Sequence, residues 1–213
     1  MYFAEVFSEW PLLGVLRGSP ADHVAESIVR AIHHPWLLAG GASSKRERRA
    51  ARIRVPRALP ALAGRYRFDG GFSLSPAGIP TGAWGAAFWA PGTSDSNPPP
   101  VSASELCPDP STNNIAEFFG FRECLRRAIR NPLPLIVFEG DSLLVASLMA
   151  GRWGCHRAHI RELLNECYDL GEHLSSRNCK RFVRHVYREF NEVANDLDSE
   201  CIRTGRGRAS PGW

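Results

Sequence analysis

Three features of the amino-acid sequence predict an α/β fold: a mixed five-stranded sheet, an antiparallel meander plus parallel strands, flanked by helices. First, "RYRFDGGFSL" alternates from Arg65 and then turns, and "GAWGAAFWAP" (Gly82–Pro91) offers a second strand rich in small and aromatic residues. Together they read as a meander. Second, "LPLIVFEGD" (Leu133–Asp141) is a nearly continuous apolar run, the pattern of a central strand buried on both faces. Third, helical and strand patterns follow one another beyond residue 112, which puts helices on the faces of a sheet.

Ala21–His34 forms a short amphipathic pattern, with Val24, Ile28 and Ile32 on one side. Gly40-Gly41 and Ser43-Ser44 mark a linker. It leads into a basic run, Lys45 to Arg57, whose only acid is Glu47. Such a run is either a solvated, poorly ordered segment or a nucleic-acid arm or nuclear address. Residues 1–61 are therefore expected to be an extension, residues 62–203 the folded domain, and residues 204–213 a disordered tail.

Within the domain, Pro91–Pro100 is a loop, because its three consecutive prolines do not fit a sheet interior. Thr112–Pro132 is a helix with Ile115, Phe118, Phe119, Leu125 and Ile129 on one broad apolar face. Asn113 or Asn114 caps its start, and Asn131-Pro132 stops it. Asp141–Gly151 is a short helix capped by Asp141 or Ser142 and closed by Gly151. His156–His173 is amphipathic, Lys180–Phe190 has the β-branched and aromatic content of a strand, and Asn191–Cys201 is the last helix.

Bulk properties narrow the classes. A net charge of +4 over 213 residues is too small to argue for nucleic acid by itself. No apolar run is long enough for a bilayer span. Glu5 and Glu9 interrupt the opening apolar residues, so nothing there reads as a secretory leader. Six cysteines without a Cys-x-x-Cys pair then read as reduced thiols of an intracellular protein, cytoplasmic or nuclear, expected to be a monomer. A zinc site from Cys155, His156, His159, Cys167, His173 and Cys179 is disfavoured for want of close ligand pairs.

Three carboxylates stand at element ends. Asp69 ends a strand beside Gly70 and Gly71, Glu117 lies in the first turn of a helix, and Asp141 sits where the buried strand meets a helix. Each has a structural explanation: a turn residue, a capping or dipole acid, an N-cap. Together, at the carboxyl ends of strands where α/β sheets bind ligands, they suggest a cation-binding cluster.

Four motifs then carry a resemblance. "FDGGFS", "STNNIAEFFG", "FEGDSLLV" and "HVYREFNEVAND" follow one another in the order of the type 1 ribonuclease H domain, in its reverse-transcriptase-associated form. Residues 65–201 resemble that family, and residues 1–60 do not. The resemblance implies the ribonuclease H-like fold and hydrolysis of the RNA strand of an RNA–DNA hybrid with two Mg²⁺ ions, Mn²⁺ being a substitute. It implies Asp69, Glu117 and Asp141 as metal ligands and His185 as an aid to proton transfer or product release. Gly70, Gly71, Asn113, Asn114, Ser142, Arg152 and Trp153 would face an RNA–DNA hybrid or other double-stranded nucleic acid. An upstream reverse-transcriptase domain is an implied partner.

The last motif departs from the pattern. The family ends it Ala-Asp, whereas this chain reads Ala194-Asn195. Asn195 is thus expected to be a weakened fourth metal ligand, with an amide oxygen in place of a charge. Asp196 is rotated by roughly 100°, and Asp198, roughly 300° and three rises further on, is expected to be worse placed still. The alternative function is a catalytically impaired nucleic-acid-binding domain from a decayed retroelement.

Overall fold

The computed structural model describes residues 62–74, 78–93, 101–108 and 112–213. The helix expected at Ala21–His34, the linker, the basic run and most of the Pro91–Pro100 loop lie outside the described residues. The chain divides after Pro60, and Ala61–Trp213 is one compact unit.

That unit has six strands and four helices. They run β1 (Gly64–Leu74), β2 (Pro80–Trp89), β3 (Val101–Leu106), α1 (Asn113–Arg130), β4 (Leu135–Gly140), α2 (Leu143–Met149), α3 (Ala158–Ser176), β5 (Lys180–His185), α4 (Glu192–Thr204) and β6 (Arg208–Ala209). A single 3₁₀ turn, Arg188–Phe190, precedes α4. The sheet order is β5-β4-β1-β2-β3-β6. β1, β2 and β3 form the antiparallel meander, while β4 and β5 join β1 in parallel. All six residues of β4 are buried, as its apolar run predicts.

Alternation along β1 splits its residues between two different layers. Tyr66 and Phe68 enter the main core with Phe118, Phe121, Leu125, Ile136, Phe138, Leu164 and Leu174. Phe121 meets Phe138 edge-on at 5.4 Å, so α1 is keyed to β4 through aromatic contacts. On the opposite face, α4 lays Leu197 against Ala87 and Trp89, and Cys201 and Ile202 against Ala83. There Arg65 and Arg67 sit 4.7 and 5.0 Å from the Trp89 ring centroid.

Three sequence expectations are corrected, and one open choice, the cap of α2, is decided. The Lys180–Phe190 strand ends at His185, and its last three residues form the 3₁₀ turn. The cap of α1 is Thr112, not Asn113 or Asn114, which are already helical. Ser142 caps α2, its Oγ accepting from the Val145 amide at 3.4 Å, and Asp141 precedes the cap. Finally, the tail is ordered, which makes six strands rather than five. Ala209 and Arg208 pair with Ala103 and Ser104 of β3, and the Ser210 amide donates to Ser102 at 2.8 Å. The open edge of β3 explains this, since its unpaired backbone groups bind whatever extended chain reaches them. Trp213 then lies 5.1 Å from the Arg127 guanidinium, whose Nη1 donates to the Gly212 carbonyl.

Candidate metal centre

β1 does not end at Asp69. It runs five residues further, pairing with β2 through Gly70 opposite Trp84 and Gly71 opposite Ala83. What ends there is β4, whose last pair with β1 is Gly140 opposite Phe68. Asp69 therefore stands where β1 outruns its parallel neighbour, and Asp141 is the first residue after that neighbour stops. Glu117 is the fifth residue of α1, beyond the first turn. None of the three acids has the structural job that its sequence context offered. Asp69 is not in a turn, Glu117 is too deep in its helix for a capping box, and Asp141 is not the N-cap.

One carboxylate oxygen from each of Asp69, Glu117 and Asp141 lies within 4.8 Å of the others. They line a cleft of about 560 Å³ with Gly70, Gly71, Asn113, Asn114 and Ser142. Among the described residues no ion pair reaches the three acids. Burial, then the charges of Asp141 and Asp198, push Asp69 up to about 8, against the pull of the Gly70 amide at 2.9 Å. Burial and the same neighbours raise Glu117 well above the usual carboxylate range. Glu117 is 5% exposed and its Oε2 is buried without a hydrogen-bond partner. Asn191, fully buried, donates through Nδ2 to the Phe68 carbonyl at 2.8 Å and to Asp141 at 3.5 Å, tying the two strand ends together. Hard carboxylate oxygens within 4.8 Å of one another, beside an orphaned one, fit a hard divalent cation.

The two glycines after Asp69 have a packing role. A Cβ on Gly70 would fall inside contact distance of the Ala116 carbonyl carbon and the Glu117 amide. The bare backbone thus lets the start of α1 close on β1 and brings Glu117 to Asp69. Gly70→Ala is expected to destabilise the fold by about 1–3 kcal/mol and to weaken Mn²⁺ binding, as measured by urea unfolding and calorimetric titration. Unchanged values for both would refute this.

A family model described as reverse transcriptase-like matches residues 101–201. That segment includes Glu117 and Asp141 and starts after Asp69. No curated protein sequence matches the chain. Among solved structures, ribonuclease H1 from the archaeon Halobacterium salinarum aligns with a TM-score of 0.53 at 23% identity, over 65% of this chain and 96% of that one. The domain has a ribonuclease H-like fold. The N-terminal ribonuclease H domain of a Mycobacterium tuberculosis protein aligns at 0.54 and 21% identity, over 66% and 98% of the two chains. A foamy viral protease–reverse transcriptase, solved with an RNA/DNA hybrid, aligns at 0.53 and 16% identity, over 70% of this chain and 21% of that one.

Other predicted residues of the ribonuclease H-like domain fall outside the cleft. His185 closes β5 opposite Gly140, one step before Asp141, with its ring edge-on to Tyr187 at 5.6 Å. Arg152 and Trp153 follow α2 on the surface, Trp153 being 49% exposed. Asn195 is half-buried on α4, and its Oδ1 accepts from the Arg188 guanidinium. Among the described residues the group of metal-ligating side chains that gathers is Asp69, Glu117 and Asp141, and it contains no histidine or cysteine.

The residue that the sequence reading set aside is Asp198. It is 3% exposed and lines the cleft. Burial pushes it up to about 7, opposed by Ser199 and Arg188. The angle of roughly 300° from Asn195 was the available signal: it equals a step of about 60° backwards, the ordinary i, i+3 neighbourhood of a helix face.

Proposed function

We propose that the domain is a metal-dependent endonuclease that cuts the RNA strand of RNA–DNA hybrids and leaves a 5′-phosphate and a 3′-hydroxyl. The observation that carries this reading is the convergence of Asp69, Glu117 and Asp141 within 4.8 Å, none with the structural task its sequence context offered. Asp69, Glu117 and Asp141 would hold the divalent ions through their carboxylates. Divalent ions held there supply activation of the attacking water and neutralisation of the leaving oxygen in an in-line displacement. Asn113, Asn114 and Ser142 offer polar groups to sugars and base edges along the cleft. Gly70 and Gly71 also line that cleft with their backbone, and 2′-hydroxyls distinguish the RNA strand. The exposed Arg152 and Trp153 suit phosphate and sugar contacts of the DNA strand. His185, beside the end of β4, serves proton transfer or product release. An upstream reverse-transcriptase domain, the context of the foamy viral relative, belongs to this reading.

A labelled RNA–DNA hybrid titrated with Mg²⁺ and Mn²⁺ tests it. Cleavage by the native chain and its loss, by at least about a hundredfold, in Asp69→Asn are the expected results. Hybrid binding without cleavage would favour the impaired, binding-only domain, and neither binding nor cleavage would defeat both.

A further inference from the structure

We propose that the fourth carboxylate of the metal centre is Asp198, one helical turn beyond the position where the resemblance places it. The inference rests on the metal-dependent reading above and assigns it a residue. On α4, Ala194, Leu197, Asp198, Cys201 and Ile202 are buried against the sheet. That is an apolar stripe at i, i+3, i+4, i+7 and i+8 with one acid in it. A carboxylate at such a position is costly unless something compensates it. The Asp198 Oδ1 accepts from the Ser199 hydroxyl at 3.3 Å, and no salt bridge reaches it among the described residues.

Two features aim it at the cleft. A Cβ on Gly71 would collide with Asp198 Oδ2, so the second glycine after Asp69 is the space that this carboxylate occupies. Gly71 and Asp69 are two apart on one strand and face the same side. Independently of the acids' grouping, Glu117 Oε2 is buried in the same cleft with no partner, which points to a ligand bound there. Asp198 lies outside the 4.8 Å group but lines the same cleft, so it would hold a second ion there. Asn195, meanwhile, is held by Arg188. The acid lost at residue 195 is thus recovered three residues later on the same helix face, with a glycine on β1 to admit it.

The test is Mn²⁺ binding by the full chain, read by calorimetry and by the electron paramagnetic resonance of free Mn²⁺, with folding checked by circular dichroism. In the native protein, two ions are expected. Asp198→Asn should lose one of them or weaken it at least about tenfold, while Asn195→Ala leaves both unchanged. Asp69→Asn should lose both. Equal binding by Asp198→Asn and native protein, with loss in Asp69→Asn, would overturn the role of Asp198 and leave the metal-dependent reading standing. Weakening by Asn195→Ala and not by Asp198→Asn would return the role to Asn195. No Mn²⁺ binding by the native chain would remove both the reading and the inference. Should Asp198→Asn not fold, Asp198→Glu replaces it, the expected result being a retained ion with altered affinity and an unchanged affinity overturning the proposal.

Discussion

Between pH 4 and pH 8 the metal-free protein is expected to lose stability, by on the order of 3–5 kcal/mol, and to regain it when Mn²⁺ is added. The sign follows from the direction of the shifts. Asp69 and Asp198 are raised to about 8 and about 7, and Glu117 is raised as well. In that window the folded cluster keeps protons that the unfolded chain has released. The unfolded state binds fewer protons, so stability falls as pH rises. The contribution is complete below the ordinary carboxylate value of about 4 and is lost by the time pH passes about 8. Divalent cation reverses the loss because it replaces the protons as the neutralising charge. Urea unfolding midpoints across pH, with a chelator and then with Mn²⁺, measure this. Asp69→Asn should flatten the slope and raise the stability of the metal-free protein at pH 8. A stability that rises from pH 4 to 8 in chelator would contradict the account.

Glu139→Gln is expected to cost about 3–5 kcal/mol of folding stability at pH 7. Glu139 has no solvent exposure and accepts from Arg67 Nε at 3.0 Å and Arg184 Nε at 2.7 Å. Both arginines are largely buried themselves, with side chains 7% and 14% exposed. Removing the carboxylate takes the Glu139 charge away from two largely buried guanidiniums that share it. A buried ion group also loses little, or even gains, when all its members become apolar together. The triple change Arg67→Met, Glu139→Leu and Arg184→Leu should therefore be much closer to native stability than Glu139→Gln. Urea unfolding of the three proteins decides it, and a loss below about 1 kcal/mol for Glu139→Gln would show that the ion group is not what holds β4, β1 and β5 in register.

This ion group was invisible in "LPLIVFEGD", where one acid in an apolar run looked incidental to a buried strand. The run predicts burial on both faces correctly, since Ile136 and Phe138 enter the aromatic core. It says nothing of what the other face meets. That depends on Arg67 and Arg184 arriving from strands 72 and 45 residues away in sequence. The tail failed for a similar reason. "TGRGRASPGW" has the composition of a flexible end, and it is ordered by the edge of β3, about a hundred residues earlier.

The candidate site divides along the same line. Asp69, Glu117 and Asp141 are legible as motifs because each is fixed by local pattern: a strand, a helix start, a strand end. Their convergence within 4.8 Å is a matter of topology, and the resemblance supplied it in advance. Residues 195 and 198 were not separable in this way. Both lie on one helix, one step of i, i+3 apart, and the sequence states only that spacing. Which of them faces Gly71 depends on how α4 is rotated about its axis as it packs on β1 and β2. Ala194 and Leu197 set that rotation by seating against Gly85, a glycine 109 residues from Ala194. By itself, then, the sequence determined β1, β2, β4, the start of β5, the helices from residue 112 onward and three of the acids, since these follow from short-range periodicity and side-chain chemistry. The phase of α4, the buried ions and the sixth strand were decided by tertiary structure, because each depends on which distant surface a side chain meets.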